Sequence, residues 1–204
     1  MKRKLYIILF WGSVWGITEA TMGYVLHLLS MTIPGLPGLL MFPIAFIYMQ
    51  KVYKATETVS SIVYISGIAA SIKLSDLLFR SLPSIYVINP ALSLLLEGIS
   101  VAIVILFVDK YTHNLGFRDC LVMGLIWRGA FLGHLWIISN ISLPAGLVTS
   151  GWQVAMQFLV IESILNAILM QGYLVRSKTI RSINPNPSLA WGLFVIAIIL
   201  QRIV

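Results

Sequence analysis

The sequence predicts an all-α polytopic transmembrane helix bundle, with six core helices, a seventh helix after them and the N-terminus in the cytoplasm. Three observations predict it: the ratio of apolar to charged residues, the length of the apolar runs, and the one-sided placement of lysine and arginine. Hydrophobic residues make up 59% of the 204 residues and charged residues 10%, which leaves too few polar groups to coat a water-soluble globule. A bilayer core about 30 Å thick takes about 20 apolar residues per helical crossing, so the chain has room for roughly six or seven crossings joined by short loops. A lone cysteine, Cys120, excludes an intrachain disulfide and a cysteine-based metal motif, and reads as a small packing residue.

Met1, Lys2, Arg3 and Lys4 before an apolar run imitate a secretory signal. The run continues to about Ser30 with no small-x-small cleavage site after it, so a retained first helix is expected, over Leu5 to Leu29. The stretch Ile33 to Gly38, with Pro34, Gly35, Pro37 and Gly38, breaks the chain before a short second helix from Leu39 to Gln50, weakened by Pro43. A third helix is expected over Val59 to Phe79. The segment Leu82 to Ile88 leads to a fourth, with Asn89 and Pro90 as N-cap and first residue and an end near Val108. A fifth runs from Asp119 to Ser139 and a sixth from Leu147 to Leu174. The polar stretch Ser177 to Ser188 precedes a last helix from Leu189 to Leu200. Residues 1–182 thus form a six-helix membrane core, and residues 183–204 a linker and seventh helix.

With the N-terminus inside, Lys2, Arg3, Lys4, Lys51, Lys54, Lys110, Arg118, Arg176, Lys178 and Arg181 fall on the cytoplasmic side, and only Arg80 and Arg202 near the outer face. This satisfies the positive-inside rule and explains the net charge of +7. Nucleic acid is excluded as a partner because no soluble domain carries a basic face. The expected location is the cell (cytoplasmic) membrane, multi-pass, with the lipid bilayer as the first partner.

Counting inward from the helix ends places Glu19, Glu97, Arg128 and Glu162, on four different helices, near the midplane. Each charge at that depth costs about 2.5–3.5 kcal/mol on insertion scales, so these groups should face inward and be paired, protonated or ligand-bound. Arg128 can neutralise one or two carboxylates through its planar fork. At least one glutamate then lacks a cation and is free to meet a proton, a metal or a cationic substrate. The competing account is a buried Arg–Glu network that only pins the helices together.

Gly12, Gly16, Glu19, Gly23 and His27 recur at three- and four-residue spacing and form one stripe on the first helix. Gly12 and Gly16 suit close helix packing, whereas Glu19 reads as functional. Lys73, Asp76 and Arg80 share a face of the third helix and read as intrahelical ion pairs. His134 lies in the same outer half, and the uncharged stretches Met31 to Gly38 and Leu82 to Ile88 are placed to fold over a polar cavity open to the outside. Glu162 and Asn166 share a helix face, with Gln153 and Gln157 roughly opposite. Glu97 to Ile103 (EGISVAI) and Glu162 to Ile168 (ESILNAI) match at Glu, Ile, Ala and Ile, a faint internal echo of the kind transporters contain.

On its size, its cytoplasmic N-terminus with six core helices, the Gly12 and Gly16 seam and the turn-rich first loop, the chain resembles the substrate-binding S component of an energy-coupling-factor vitamin transporter. The resemblance implies that the seam docks onto a transmembrane coupling subunit, that ATPase subunits supply energy, that the outward cavity takes a vitamin-like metabolite, and that the first loop gates it. Glu19 on the docking stripe and the seventh helix depart from that pattern.

The expected function is therefore uptake of a small extracytoplasmic metabolite, with Glu19, Glu97, Arg128, His134, Glu162 and Asn166 binding substrate and Gly12, Gly16 and Gly23 serving helix packing or partner docking. No cofactor is expected. Two alternatives stay open: an intramembrane enzyme using the Glu, His and Arg cluster, with the metal question undecided, and a proton- or cation-coupled carrier. H-E-x-x-H, E-x-x-H and nucleotide-binding loops do not occur, so ATP coupling must come from partners.

Overall fold

The computed structural model describes residues 2–29, 35–78, 83–111, 114–141, 143, 145–176 and 185–203. Among them the protein is an all-α bundle: α1 (Lys2–Thr18), a π-helical turn (Glu19–Gly23), α2 (Tyr24–Leu29), α3 (Leu36–Thr56), α4 (Ser60–Leu74) with a 3-10 turn (Ser75–Leu78), α5 (Ile85–Tyr111), α6 (Phe117–Ser139), α7 (Gly146–Thr149), α8 (Trp152–Met156), a second π turn (Gln157–Ile161), α9 (Glu162–Arg176) and α10 (Pro187–Ile203). Six segments are long and apolar enough to cross a bilayer: Lys2–Leu29, Leu36–Thr56, Ser60–Leu78, Ile85–Lys110, Phe117–Ser139 and Trp152–Arg176. The chain is a multi-pass membrane protein. Its lipid-facing positions fit that solvent, since Leu106, Phe107, Ile137, Ile161 and Ile168 stand exposed on the helices.

α3 forms the axis. It packs against α1, α4, α5 and α9, while α5, α6 and α9 complete the wall around it. Its buried face carries Phe42, Ala45, Phe46, Met49 and Val52. The helix is longer than its sequence predicts. Gly35, in the left-handed region at φ +84°, turns the chain into it, and Pro37 suits the first turn, where its missing N–H has no helical acceptor to lose. Pro43 lies inside the helix and removes the bond to the Leu39 carbonyl, which α9 satisfies instead through Asn166.

Other boundaries also shift. α5 starts at Ile85 with Pro83 O and Ser84 O as its first acceptors, so Asn89 and Pro90 lie within the helix rather than capping it, and Asn89 spends its side chain on His134 instead. Ile85 to Ile88 are helical, not loop. The sixth predicted helix is divided by Gly151 at φ +106°, between α7 and α8. Asp119 caps the start of α6 by accepting the Gly116 N–H at 2.8 Å. Met31 to Pro34, Arg80, Leu82, Lys178 and Arg181 lie outside the described residues.

α10 is an apolar helix of 17 residues, about 25 Å long at 1.5 Å per residue, and it runs along α1 and α4. Its buried Ala190 and Ala197 allow the close approach, and Gln201 Nε2 donates to Asp76 Oδ2 at 2.7 Å.

Gly12 and Gly16 face α4. A Cβ at Gly12 would lie 2.7 Å from Ile68 Cβ, and one at Gly16 2.5 Å from Ile72 Cδ1. Gly98 makes the corresponding approach on α5, where a Cβ would lie 2.5 Å from Ser66 Cβ. Gly12→Ala is expected to cost about 1–3 kcal/mol by overpacking, because the Ile68 Cβ it meets is anchored to backbone. Gly16→Ala, whose closest contact is the movable Cδ1 of Ile72 with the anchored Cβ at 3.3 Å, is expected to cost less. Thermal unfolding of the two variants in detergent checks the order.

Candidate functional site

The polar centre begins with α3's N-terminus, which meets the middle of α6 and the start of α9. Arg128 is fully buried, its guanidinium 4.5 Å from the Trp127 ring and 5.2 Å from that of Phe158. Its NH2 donates to Gly38 O at 3.1 Å, to Asn166 Oδ1 at 2.5 Å and to Glu162 Oε2 at 3.4 Å, and NH1 approaches Ser163 Oγ at 3.5 Å. Asn166 Nδ2 donates to Leu39 O at 2.6 Å. That carbonyl is the one Pro43 leaves without a helical donor, so proline and asparagine form a complementary pair across two helices.

Glu162 rests against the glycines at the start of α3. A Cβ at Gly35 would lie 2.5 Å from Glu162 Oε1 and one at Gly38 2.7 Å from Oε2. The carboxylate therefore sits at the positive end of a helix as well as beside a guanidinium. Gly35→Ala loses on two counts, the left-handed φ and the collision with the carboxylate, and is expected to lower stability by about 1–3 kcal/mol; a denaturant titration of the variant beside Glu162→Ala/Gly35→Ala tests whether removing the carboxylate recovers part of the loss.

The other two carboxyls are different. Glu97 on α5 is 6% exposed and its Oε2 has no hydrogen-bond partner among the described residues, and the same holds for Glu19 Oε2 at the start of the first π turn. Glu97 lies within electrostatic range of both Glu19 and Arg128, and Glu19 within range of Lys73. Lys73 itself pairs with Asp76 at 3.3 Å. Trp15 Nε1, Trp127 Nε1 and Arg128 Nε are among the donors also buried without a described partner, with Gln50 Nε2 and the Tyr173 hydroxyl. Buried polar atoms are as a rule paired, so orphans of this kind call for water, an ion or a ligand.

The centre thus divides in two. Arg128, Glu162, Asn166 and the carbonyls of Gly38 and Leu39 form a clasp whose bonds are made within the protein, apart from the Arg128 Nε donor. Glu97 and Glu19 form a pair with unsatisfied oxygens. Both π turns adjoin this centre, one opening with Glu19 and the other ending just before Glu162, and such turns recur at functional sites because they re-aim side chains within a helix.

Of the six predicted binding residues, Arg128, Glu162 and Asn166 are in direct contact, and Glu97 joins them and Glu19 electrostatically. His134 does not join: its Nε2 lies 3.0 Å from Asn89 Oδ1 and its ring beside Phe131, on the way to the outer end of α6. The predicted stripe on the first helix does not continue as one buried face. Gly12 and Gly16 are buried, Glu19 and Gly23 half-buried and His27 exposed, because the π turn rotates the residues beyond it about the helix axis. Gly23 lies under the Glu19 carboxyl, where a Cβ would be 3.3 Å from it. Sequence reasoning missed Ser163, Gly35 and the Leu39 carbonyl. The last was signalled by Pro43, four residues on.

Comparison with known proteins gives no family model that matches the chain, no matching curated protein and no matching solved structure.

Proposed function

We propose that this protein is a membrane transporter or the binding subunit of one, and that it takes up a small extracytoplasmic solute whose cationic or hydrogen-donating part sits between Glu97 and Glu19. The observation that carries this reading is the buried Glu97 carboxyl with an unpartnered oxygen, within electrostatic range of the half-buried Glu19, whose Oε2 also lacks a described partner. The Arg128 clasp closes all its hydrogen bonds but the Nε donor, whereas a carboxyl pair left open in a low-dielectric interior suits a transient positive guest. The unpartnered Nε of Arg128, a residue within electrostatic range of Glu97, suits an acceptor group on the same guest. A vitamin-like metabolite is the proposed class.

Coupling by a transmembrane subunit with ATPase partners belongs to the same proposal. Such a subunit would approach a face other than the Gly12 and Gly16 seam, which Ile68 and Ile72 already cover. Purification in mild detergent followed by mass spectrometry of the molecules released on denaturation tests the reading. Retention of a small polar molecule with a basic nitrogen is expected; a protein that emerges empty and gains no thermal stability from any amine in a panel of vitamins and metabolites counts decisively against it.

A further inference from the structure

A groove of about 430 Å3 lies between α5 and α6, near the end of the bundle where α5 finishes and α6 begins. Val104 and Val108 form its buried floor, and Ile103, Phe107, Val122 and Ile126 its exposed apolar walls. Arg118 and Asp119 stand at its mouth. From Arg118 to Ile126 the α6 wall descends eight residues, about 12 Å at helical rise. The groove is therefore charged at the headgroup level and apolar below it, which is the profile of an amphiphile standing in the membrane.

The two mouth charges narrow the choice further. Arg118 is exposed and makes no ion pair among the described residues, so its guanidinium is available to a phosphate. Asp119 turns Oδ2 back to the Gly116 N–H at 2.8 Å, which leaves Oδ1 to accept from a donor outside. The N-terminus of α6, a helix of 23 residues, adds its positive end at the same place. A guanidinium and a carboxylate on adjacent residues complement a zwitterion with donors on its cation.

We propose that this groove binds a phospholipid whose headgroup carries a phosphate and a primary ammonium, the phosphate on Arg118, the ammonium on Asp119 and one acyl chain along Val104, Phe107, Val122 and Ile126. A choline headgroup has no N–H to donate, and a glycerol headgroup has no cation for Asp119, so both should bind less well. The inference is independent of the solute site, since no residue is shared.

The test is native mass spectrometry of the full chain in detergent, with phosphatidylethanolamine, phosphatidylcholine or phosphatidylglycerol of identical chains added in turn. One phosphatidylethanolamine is expected to stay bound, about five-fold more than phosphatidylcholine, the factor that one charged contact near a membrane surface supplies. Arg118→Gln should lower retention of phosphatidylethanolamine and phosphatidylglycerol alike. Asp119→Asn, which keeps a capping acceptor, should erase the preference for phosphatidylethanolamine over phosphatidylglycerol. Val122→Trp should displace the lipid by filling the groove. Arg176→Gln, at an exposed helix end outside the groove, should change nothing. Equal retention of the three lipids by the wild type, loss of retention in Arg176→Gln to the same degree as in Arg118→Gln, or an unaltered lipid count in a Val122→Trp protein that elutes as a single folded species would each overturn the proposal.

Discussion

Replacing Arg128 with methionine is expected to destabilise the protein by about 3–5 kcal/mol, the cost of leaving one member of a buried ion pair alone. Methionine fills most of the space between the rings of Trp127 and Phe158 but supplies no donor. Glu162 then keeps its place by Gly35 and Gly38 without a cation, the Asn166 Oδ1 and Gly38 carbonyls lose their strongest partner, and three helices lose a common anchor. Denaturant titration in detergent, followed by tryptophan fluorescence, reads the effect directly because Trp127 adjoins the change. Arg128→Met/Glu162→Met is expected to recover a large part of the loss, since replacing both members of a buried pair by apolar groups of similar volume costs far less than orphaning one. A single variant that unfolds with the wild type would show that the clasp contributes nothing, and the division of the centre into a closed and an open half would lose its basis.

The crossings were legible in the sequence because lipid imposes long apolar runs, and six of them survive as helices of sufficient length. Counting residues from the helix ends set Glu19, Glu97, Arg128 and Glu162 at one level; Arg128 and Glu162 are in contact, and Glu97 lies within electrostatic range of Arg128 and Glu19. Glu162 and Asn166, four apart, were visibly on one face, and both are buried; Gln153 and Gln157, expected to face a neighbouring helix, are instead exposed. The features that could not be read in advance depend on pairs of elements. Pro43 reads locally as a helix breaker; only the approach of Asn166 from α9 turns the freed Leu39 carbonyl into a bonding site. Gly98, four residues before Ala102, fits a small-x-x-x-small spacing, but its reason is Ser66 on another helix, which α5 alone does not name. The π turns leave no trace in hydrophobic periodicity, so the rotation between Gly16 and His27 could not be read from spacing.

Glu97→Gln separates the open half from the closed one by the sign of its effects. Glu97 has a buried oxygen without a partner, so an amide of nearly the same shape removes an uncompensated acid without breaking a bond. Unfolding is therefore expected at the same denaturant concentration as the wild type, or a higher one. Solute retention is expected to fall about 10- to 100-fold, the equivalent of one hydrogen bond to a charged group at about 1.5–3 kcal/mol. Glu162→Gln should behave in the opposite way, losing stability because it weakens a bond to Arg128 while leaving the Glu97 and Glu19 pair intact. Glu19→Gln should resemble Glu97→Gln, with a smaller loss because Glu19 is half-buried and already within range of Lys73. The measurement is mass-spectrometric quantification of retained solute alongside the unfolding midpoint, on the same preparations. A Glu97→Gln protein that retains its solute in full yet unfolds as early as Arg128→Met would mean that the carboxyl belongs to the framework, and the guest would have to be sought elsewhere in the bundle.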